Sequence, residues 1–338
     1  MSSQPHPVRV AGARRARVLT IAKHEYRAAV RSRILLILVV LLIAVTAASV
    51  YIASAGYAAK LAEYETYRAA AQAQGLTRIA PTPLAALSLL RGPLEYLEII
   101  GAVIAISLGY LSVSRERVNR TLPLIRTRPI TAGEQATGTL LGATGVFATL
   151  VATTLAVGII CVGLLGRDWV SPGELLQIAL ASIAALLYLS AFYCLGAIAT
   201  AKSRFAANGL MIALGIWLVV VLVLPQIGDT MDADNQLPGG LFQALGLDHD
   251  GEVAVLTHFT GYERIRTGIE EASLSKHFER FAFAMSDVKE RYRPYDLPWL
   301  LNETRNDIGW LLAYALTLFA GLRRTFRTQP TIPPGGTS

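Results

Sequence analysis

Residues 14–33 read RRARVLTIAKHEYRAAVRSR, and the chain runs from them directly into the uncharged stretch Ile34–Ser54. Val18, Ile21, Ala22, Tyr26 and Ala29 recur at three- and four-residue steps, while Arg17, Lys23, Arg27, Arg31 and Arg33 take the other positions. This is the spacing of an amphipathic helix, and a helix basic on one side and apolar on the other lies in the headgroup plane of a membrane. The 21 residues Ile34–Ser54 span roughly 31 Å at ~1.5 Å per residue, about the thickness of a hydrocarbon core. One helix is therefore predicted on the membrane and the next through it. The run is too long for the apolar segment of a cleavable signal peptide, and no small-residue cleavage site follows closely.

Composition points the same way. Hydrophobic residues make up 53% of the 338 and charged residues 16%, against about 25% charged in soluble domains. Further spans are predicted from near Pro93 to Val113, over Thr137–Leu165, Leu175–Ala199 and Gly209–Ile227. A sixth, Ile308–Leu322, has only 15 uncharged residues and must borrow from Trp299–Asp307. The fold class expected is an all-α integral membrane protein of six spans behind an amphipathic helix. Its parts are 1–33, the N-terminus and that helix; 34–227, spans one to five; 228–307, an extracytoplasmic helical insert; and 308–338, the sixth span and tail.

Six spans place both termini on one side. Segments 1–33, 114–136, 200–208 and 323–338 carry 18 Lys+Arg against three acidic residues, and the rest of the chain carries 13 against 21. The positive-inside rule makes the first set cytoplasmic, so the charge of +7 reflects topology and not nucleic-acid binding. The two outer inserts are expected to be structured. Lys60–Gln74 reads as a short helix, and Leu274, Phe278, Phe281, Met285, Val288 and Tyr292 form one stripe of a helix over Ser273–Tyr292, stopped by Pro294. That stripe suits packing against the membrane domain better than ligand binding.

Chemistry-bearing motifs are sparse. Cys161 and Cys194 fall inside spans, where they act as small hydrophobes. His249, His258 and His277 lie in the second insert without metal-ligand spacing, and no metal site is expected. No phosphate-binding GxxxxGK[ST] loop, nucleophile elbow or dinucleotide fingerprint occurs, so the chain is expected to be no enzyme. Glu95 and Glu98, one turn apart at the outer start of span two with Arg91 a turn before, either line an outer mouth or form interfacial ion pairs with Arg91 or Arg305. Gly138, Gly142 and Gly145, and Gly209, Ala213 and Gly215, allow close helix contact, including contact between subunits.

The link SRERVNRTLPLIRTRPITAGEQATG, Ser114–Gly138, is short, basic and carries Leu122, Leu124 and Ile125. These either lie in the membrane interface or dock on a partner. Here the chain resembles the membrane subunits of ATP-binding-cassette (ABC) exporters of the second type. The stretch AKHEYRAAVRSR is similar to their elbow helix, and the link is similar to their segment after span two through Glu116 and Arg117, Thr121 and Leu122, and Pro129 and Ile130. Arg120 stands where the family commonly has glycine.

The resemblance implies a permease that dimerises and is driven by separate cytoplasmic ATPase subunits, which would hold the ATP and Mg while this chain binds no cofactor. In that arrangement the link is the coupling segment. Leu122, Leu124 and Ile125 would fill a groove on the ATPase, Arg117, Arg126 and Arg128 would face acidic rims, and Glu25 on the elbow and the loop Ala201–Asn208 would add contacts. Membrane lipid is the surrounding partner, in a bacterial inner membrane. The long outer insert loosely resembles permeases of envelope machinery, including the nitrous-oxide-reductase maturation type, which implies a periplasmic partner. No pocket residue selects a substrate. Two other classes remain: a secondary transporter, which needs ionisable residues at mid-membrane that spans one, three, four and five lack, and a membrane sensor or envelope-assembly protein.

Overall fold

The computed structural model describes residues 7–74, 86–118, 130–165, 170–231, 241–246, 257–288 and 295–328, with 251, 254, 255 and 292. Among these every regular element is helical. Helix α1 (Pro7–Val30) gives way to a turn at Arg31, and Ser32 in extended backbone (φ −77°, ψ 117°) leads into α2 (Arg33–Ala73). The helix predicted separately at Lys60–Gln74 is the continuation of α2. No proline lies between Arg33 and Ala73, and alanine is frequent there, so nothing stops a helix that the first span has already nucleated.

The second unit starts earlier than predicted. A 3₁₀ turn at Ala86–Leu90 leads into α3 (Arg91–Tyr96), a π-helical segment Leu97–Gly101 and α4 (Ala102–Val118). Pro93 sits in the first turn of α3, where its missing N–H costs nothing. Glu95 and Glu98 therefore lie two and three turns inside the helical unit instead of at its start. The next two helices, α5 (Ala132–Leu165) and α6 (Pro172–Lys202), both begin on capping boxes. Thr131 and Glu134 bond reciprocally (3.2 and 2.8 Å), as do Ser171 and Glu174 (3.3 and 2.6 Å). The fifth unit is α7 (Ala206–Trp217), a π segment Leu218–Val223 and α8 (Leu224–Met231).

These five units are long and apolar enough to cross a membrane. The second and fourth form the centre, with 61% and 56% of their apolar windows buried, against 22% and 11% for the first and fifth. The first and fifth thus turn apolar flanks outward, among them Ile37, Ile52, Met211 and Ile216. At the centre α4 crosses α6 on two glycines. A Cβ on Gly109 would stand 2.3 Å from the Tyr193 carbonyl oxygen, and one on Gly196 would stand 2.5 Å from that of Ile106. Tyr188, Tyr193 and Phe147 fill the space around the crossing and are fully buried.

After α8 the chain turns back. Helix α9 (Thr260–Glu271) packs along α8, with the Tyr262 hydroxyl donating to the Met231 carbonyl (2.9 Å) and the Glu270 side chain over Gly228. Ser273, at the turn into α10 (Leu274–Met285), donates to the Val220 carbonyl (2.8 Å). Val220 is eleven residues before Met231, or ~16 Å along the helix, so the hairpin tip lies level with the middle of the fifth unit. Part of the segment read as an outer insert is therefore built into the bundle. Leu274, Phe278, Phe281 and Met285 are buried, and Phe278 stacks on Tyr188 (4.9 Å between centroids). Helix α10 stops at Met285, short of the expected Tyr292, because Asp287 takes a left-handed conformation (φ 50°) that ends the ladder.

Helices α11 (Leu297–Glu303) and α12 (Arg305–Thr328) complete the fold. Helix α12 contains the expected sixth span Ile308–Leu322 and packs on α6 and α10, but it is not among the five units apolar enough to cross. Its polar ends, Asp307 and Arg323, bracket a short apolar middle. Each π segment receives a hydroxyl on one of its carbonyls: Tyr188 donates to Glu98 O (2.9 Å) and Ser273 to Val220 O. Ser273→Ala should therefore loosen the hairpin by about 1–2 kcal/mol. Hydrogen exchange over residues 274–285 checks this, and unchanged protection would refute it.

Candidate functional site

At the end of the bundle carrying α1, the proximal end, the glycines of α5 set the geometry. Gly138, Gly142 and Gly145 lie along one face, and α1 runs parallel to that face with Val18 and Ile21 at Gly138, Ala22 and Glu25 at Gly142, and Tyr26 at Gly145. A Cβ on Gly142 would stand 2.6 Å from the Ala22 carbonyl oxygen. The helix thus rises along α5 for two turns, one face on protein, instead of lying free in the headgroup plane. Among the described residues these three glycines make contacts within the chain, and Gly209 does the same against Thr200 Cα (2.3 Å). Gly215 alone of the predicted glycine contacts faces open space.

Two ion pairs fix the rotation of α1. Arg17 binds Glu134 at the start of α5 (2.6 Å), and Glu25 binds Arg115 at the end of α4 (2.8 Å). Both carboxylates are buried. Burial pushes the Glu25 carboxyl above the usual range, with Arg115 pulling it part of the way back. The contacts continue inward: Ser112 lies beside Glu25, and the Tyr193 hydroxyl donates to Ser112 Oγ (3.2 Å). Gln135 Nε2 donates to both oxygens of Glu116 (3.2 Å each). The Arg117 guanidinium donates to the Ser203 carbonyl (2.9 Å) and to that of Ala201, closing the C-terminus of α6.

Of the residues expected to couple to a partner, Glu25, Glu116 and Arg117 are thus brought together, all engaged within the chain. Thr121, Leu122, Leu124, Ile125, Arg126, Arg128 and Pro129 lie outside the described residues. Arg17, Arg115, Glu134 and Gln135 join the cluster without having been singled out. The Thr131–Glu134 capping pattern was the available signal for one of them, but its partner Arg17 is 117 positions away.

At the opposite end Glu95 pairs with Arg91 (2.7 Å), while Arg305 bonds Asn302 (3.2 Å). Glu98 separates from Glu95: its side chain turns to Ser275 of α10, beside Lys276 and Glu279. Lys276 in turn bridges Asp229 (2.8 Å) and Glu279 (3.1 Å). His277 contacts Asp307 (2.7 Å) and the Glu271 carbonyl (3.0 Å), and His258 the Ala254 carbonyl (2.9 Å). His249 lies outside the described residues. Among the described residues no group of His, Cys, Asp and Glu could hold a metal.

The sequence that builds these central spans and the basic helix at the proximal end matches a known family. The profile of the family described as ABC-2 family transporter protein matches residues 19–276. The chain belongs to that family. No curated protein matched the chain in a sequence search. The ABC-2 match covers α1 from Leu19, all five apolar units and the hairpin as far as Lys276. It makes the chain the membrane permease component of an ABC-2 transporter, a transport part and not an enzyme.

Proposed function

We propose that this ABC-2 permease is the membrane half of an ATP-driven exporter, dimeric, with ATP and Mg held on separate cytoplasmic ATPase subunits. In this reading α1 is the elbow helix, α12 the sixth span, the proximal end cytoplasmic and the membrane the bacterial inner membrane. The observation that carries it is the clamp around the link. The helix entering the link, α4, is tied to α1 through Arg115–Glu25, and the helix leaving it, α5, through Glu134–Arg17. A push on residues 119–129 would then move both helices and α1 together, as a coupling segment requires. Leu122, Leu124 and Ile125 fill the ATPase groove, Arg126 and Arg128 meet its acidic rim, and Thr121 and Pro129 belong to the same contact. Glu25, Glu116 and Arg117 act behind this contact by holding the link's two ends. Glu95 and Glu98 belong to the outer mouth, and the segment around α9 offers a surface to a periplasmic partner.

The decisive experiment is extraction of the tagged chain in mild detergent. An ATPase subunit should accompany it, and Leu122→Asp or Leu124→Asp should remove that subunit while leaving the permease monodisperse. If no ATPase co-purifies with the unmodified chain, the reading fails. Topology is tested separately: a cysteine near Asp248 should be labelled from outside and one near Arg126 should not, and the reverse pattern would invert the orientation.

A further inference from the structure

We propose that the outward face of α1 is a binding surface for anionic phospholipid headgroups, an inference that rests on reading the proximal end as cytoplasmic. The rotation of α1 is set by protein: Ala22, Glu25 and Ala29 are buried against α5 and α4. At 100° per residue, Arg27 then points away from that face with Lys23 and Arg31 about 40° to either side of it, and all three are exposed. The two carboxylates of this region, Glu25 and Glu134, are turned inward and matched to Arg115 and Arg17. Among the described residues no carboxylate reaches Lys23, Arg27 or Arg31. Among the described residues the face is therefore a row of cations at four-residue spacing without counter-charge.

The neighbouring side chains choose between a lipid and an acidic protein. Leu19 (60% exposed) and Val30 (58%) flank the cations, and Ile34, Leu36 and Ile37 continue the exposed apolar surface into α2, the first membrane-crossing helix. Cations with long aliphatic stems, set among apolar side chains within a turn or two of a span, match a headgroup layer with acyl chains beneath it. An acidic protein surface would neutralise the cations but leave Leu19 and Val30 in water. Phosphate diester, charged and anchored by its own chains, satisfies both parts of the face.

The test is native mass spectrometry of the purified full chain, titrated with phosphatidylglycerol or phosphatidylcholine in detergent micelles. The unmodified chain should prefer phosphatidylglycerol. Lys23→Gln, Arg27→Gln and Arg31→Gln should each weaken that preference about fivefold, and the triple variant roughly 100-fold, from the ~1 kcal/mol that each cation contributes near an anionic surface. The charge-conserving triple Lys23→Arg, Arg27→Lys, Arg31→Lys should keep it. An unchanged preference in the single and triple glutamine variants overturns the proposal. So does displacement of the lipid by millimolar inorganic phosphate, which would mark a free-anion site, and so does loss of the ATPase subunit with lipid retention intact, which would give the face to protein. Retention in micelles does not depend on which leaflet α1 faces, so a failure of the orientation would appear only in the cysteine labelling.

Discussion

Gly109→Val is expected to prevent the bundle from assembling. The first atom added would meet the Tyr193 carbonyl oxygen at 2.3 Å and the Ala197 nitrogen at 2.8 Å, and these are backbone atoms that cannot step aside. Helices α4 and α6 would have to separate along the crossing that carries Tyr188, Tyr193 and Cys194. Overpacking in a well-packed core costs about 1–3 kcal/mol where side chains can adjust, and a backbone collision at the crossing should exceed that range. The readout is thiol labelling on heating, because Cys194 is buried at 1% exposure and becomes reactive only when this interface opens. Cys161 should be replaced by alanine beforehand. Gly215→Val is the matched control: nothing lies within 4 Å of its Cβ position, so the isolated subunit should melt unchanged. Equal melting of the two variants would show that the crossing is not the closest-packed point of the fold.

Gly142→Leu should have the opposite character, sparing the bundle and uncoupling it. Its side chain would strike the Ala22 carbonyl oxygen and Glu25 Cβ at 2.6 and 2.7 Å, both on α1, which lies at the edge of the molecule. The affordable response is for α1 to leave α5, which strands Glu25 from Arg115 and Arg17 from Glu134. We expect hydrogen exchange over residues 14–30 to rise at least tenfold, about 1.4 kcal/mol of lost protection, with Cys194 still protected. On the proposed function, stimulation of an ATPase subunit that co-purifies should also be lost while the subunit itself is retained. Gly145→Ala, facing only the movable Tyr26 ring at 3.3 Å, should do much less. If Gly142→Leu leaves exchange in α1 unaltered, the clamp is not held by this seam.

The sequence declared the membrane class and most of the helices because apolar runs and basic flanks are local signals. It was weakest where a helix outlasts its apolar run. Lys60–Gln74 reads as a separate element from its polarity, yet no residue there breaks the helix, and the second unit starts before Pro93 for the same reason. The hairpin is the converse case. Its stripe of Leu274, Phe278 and Phe281 was legible, but its insertion to the level of Val220 depends on Tyr188 and on a π-helical carbonyl far away in the chain. In the candidate site Glu25, Glu116 and Arg117 could be picked from the link and elbow. The Arg17–Glu134 pair beside them could not, since the two residues share no local pattern and meet only because three glycines let α1 approach.

Helix α2 adds a mechanical consequence. At 41 residues it is a rod of ~61 Å, twice what the first span needs, and it is separated from α1 by the break at Arg31 and Ser32. A rod of that length converts a small angle into a large displacement: a tilt of ~5° at its base moves its far end by about 5 Å. With α1 bolted to α5, any tilt of α2 about the break at Arg31 and Ser32 would be magnified toward its far end. Sub-ångström adjustments at the basic end would then read out as several ångströms near Glu65 and Arg68.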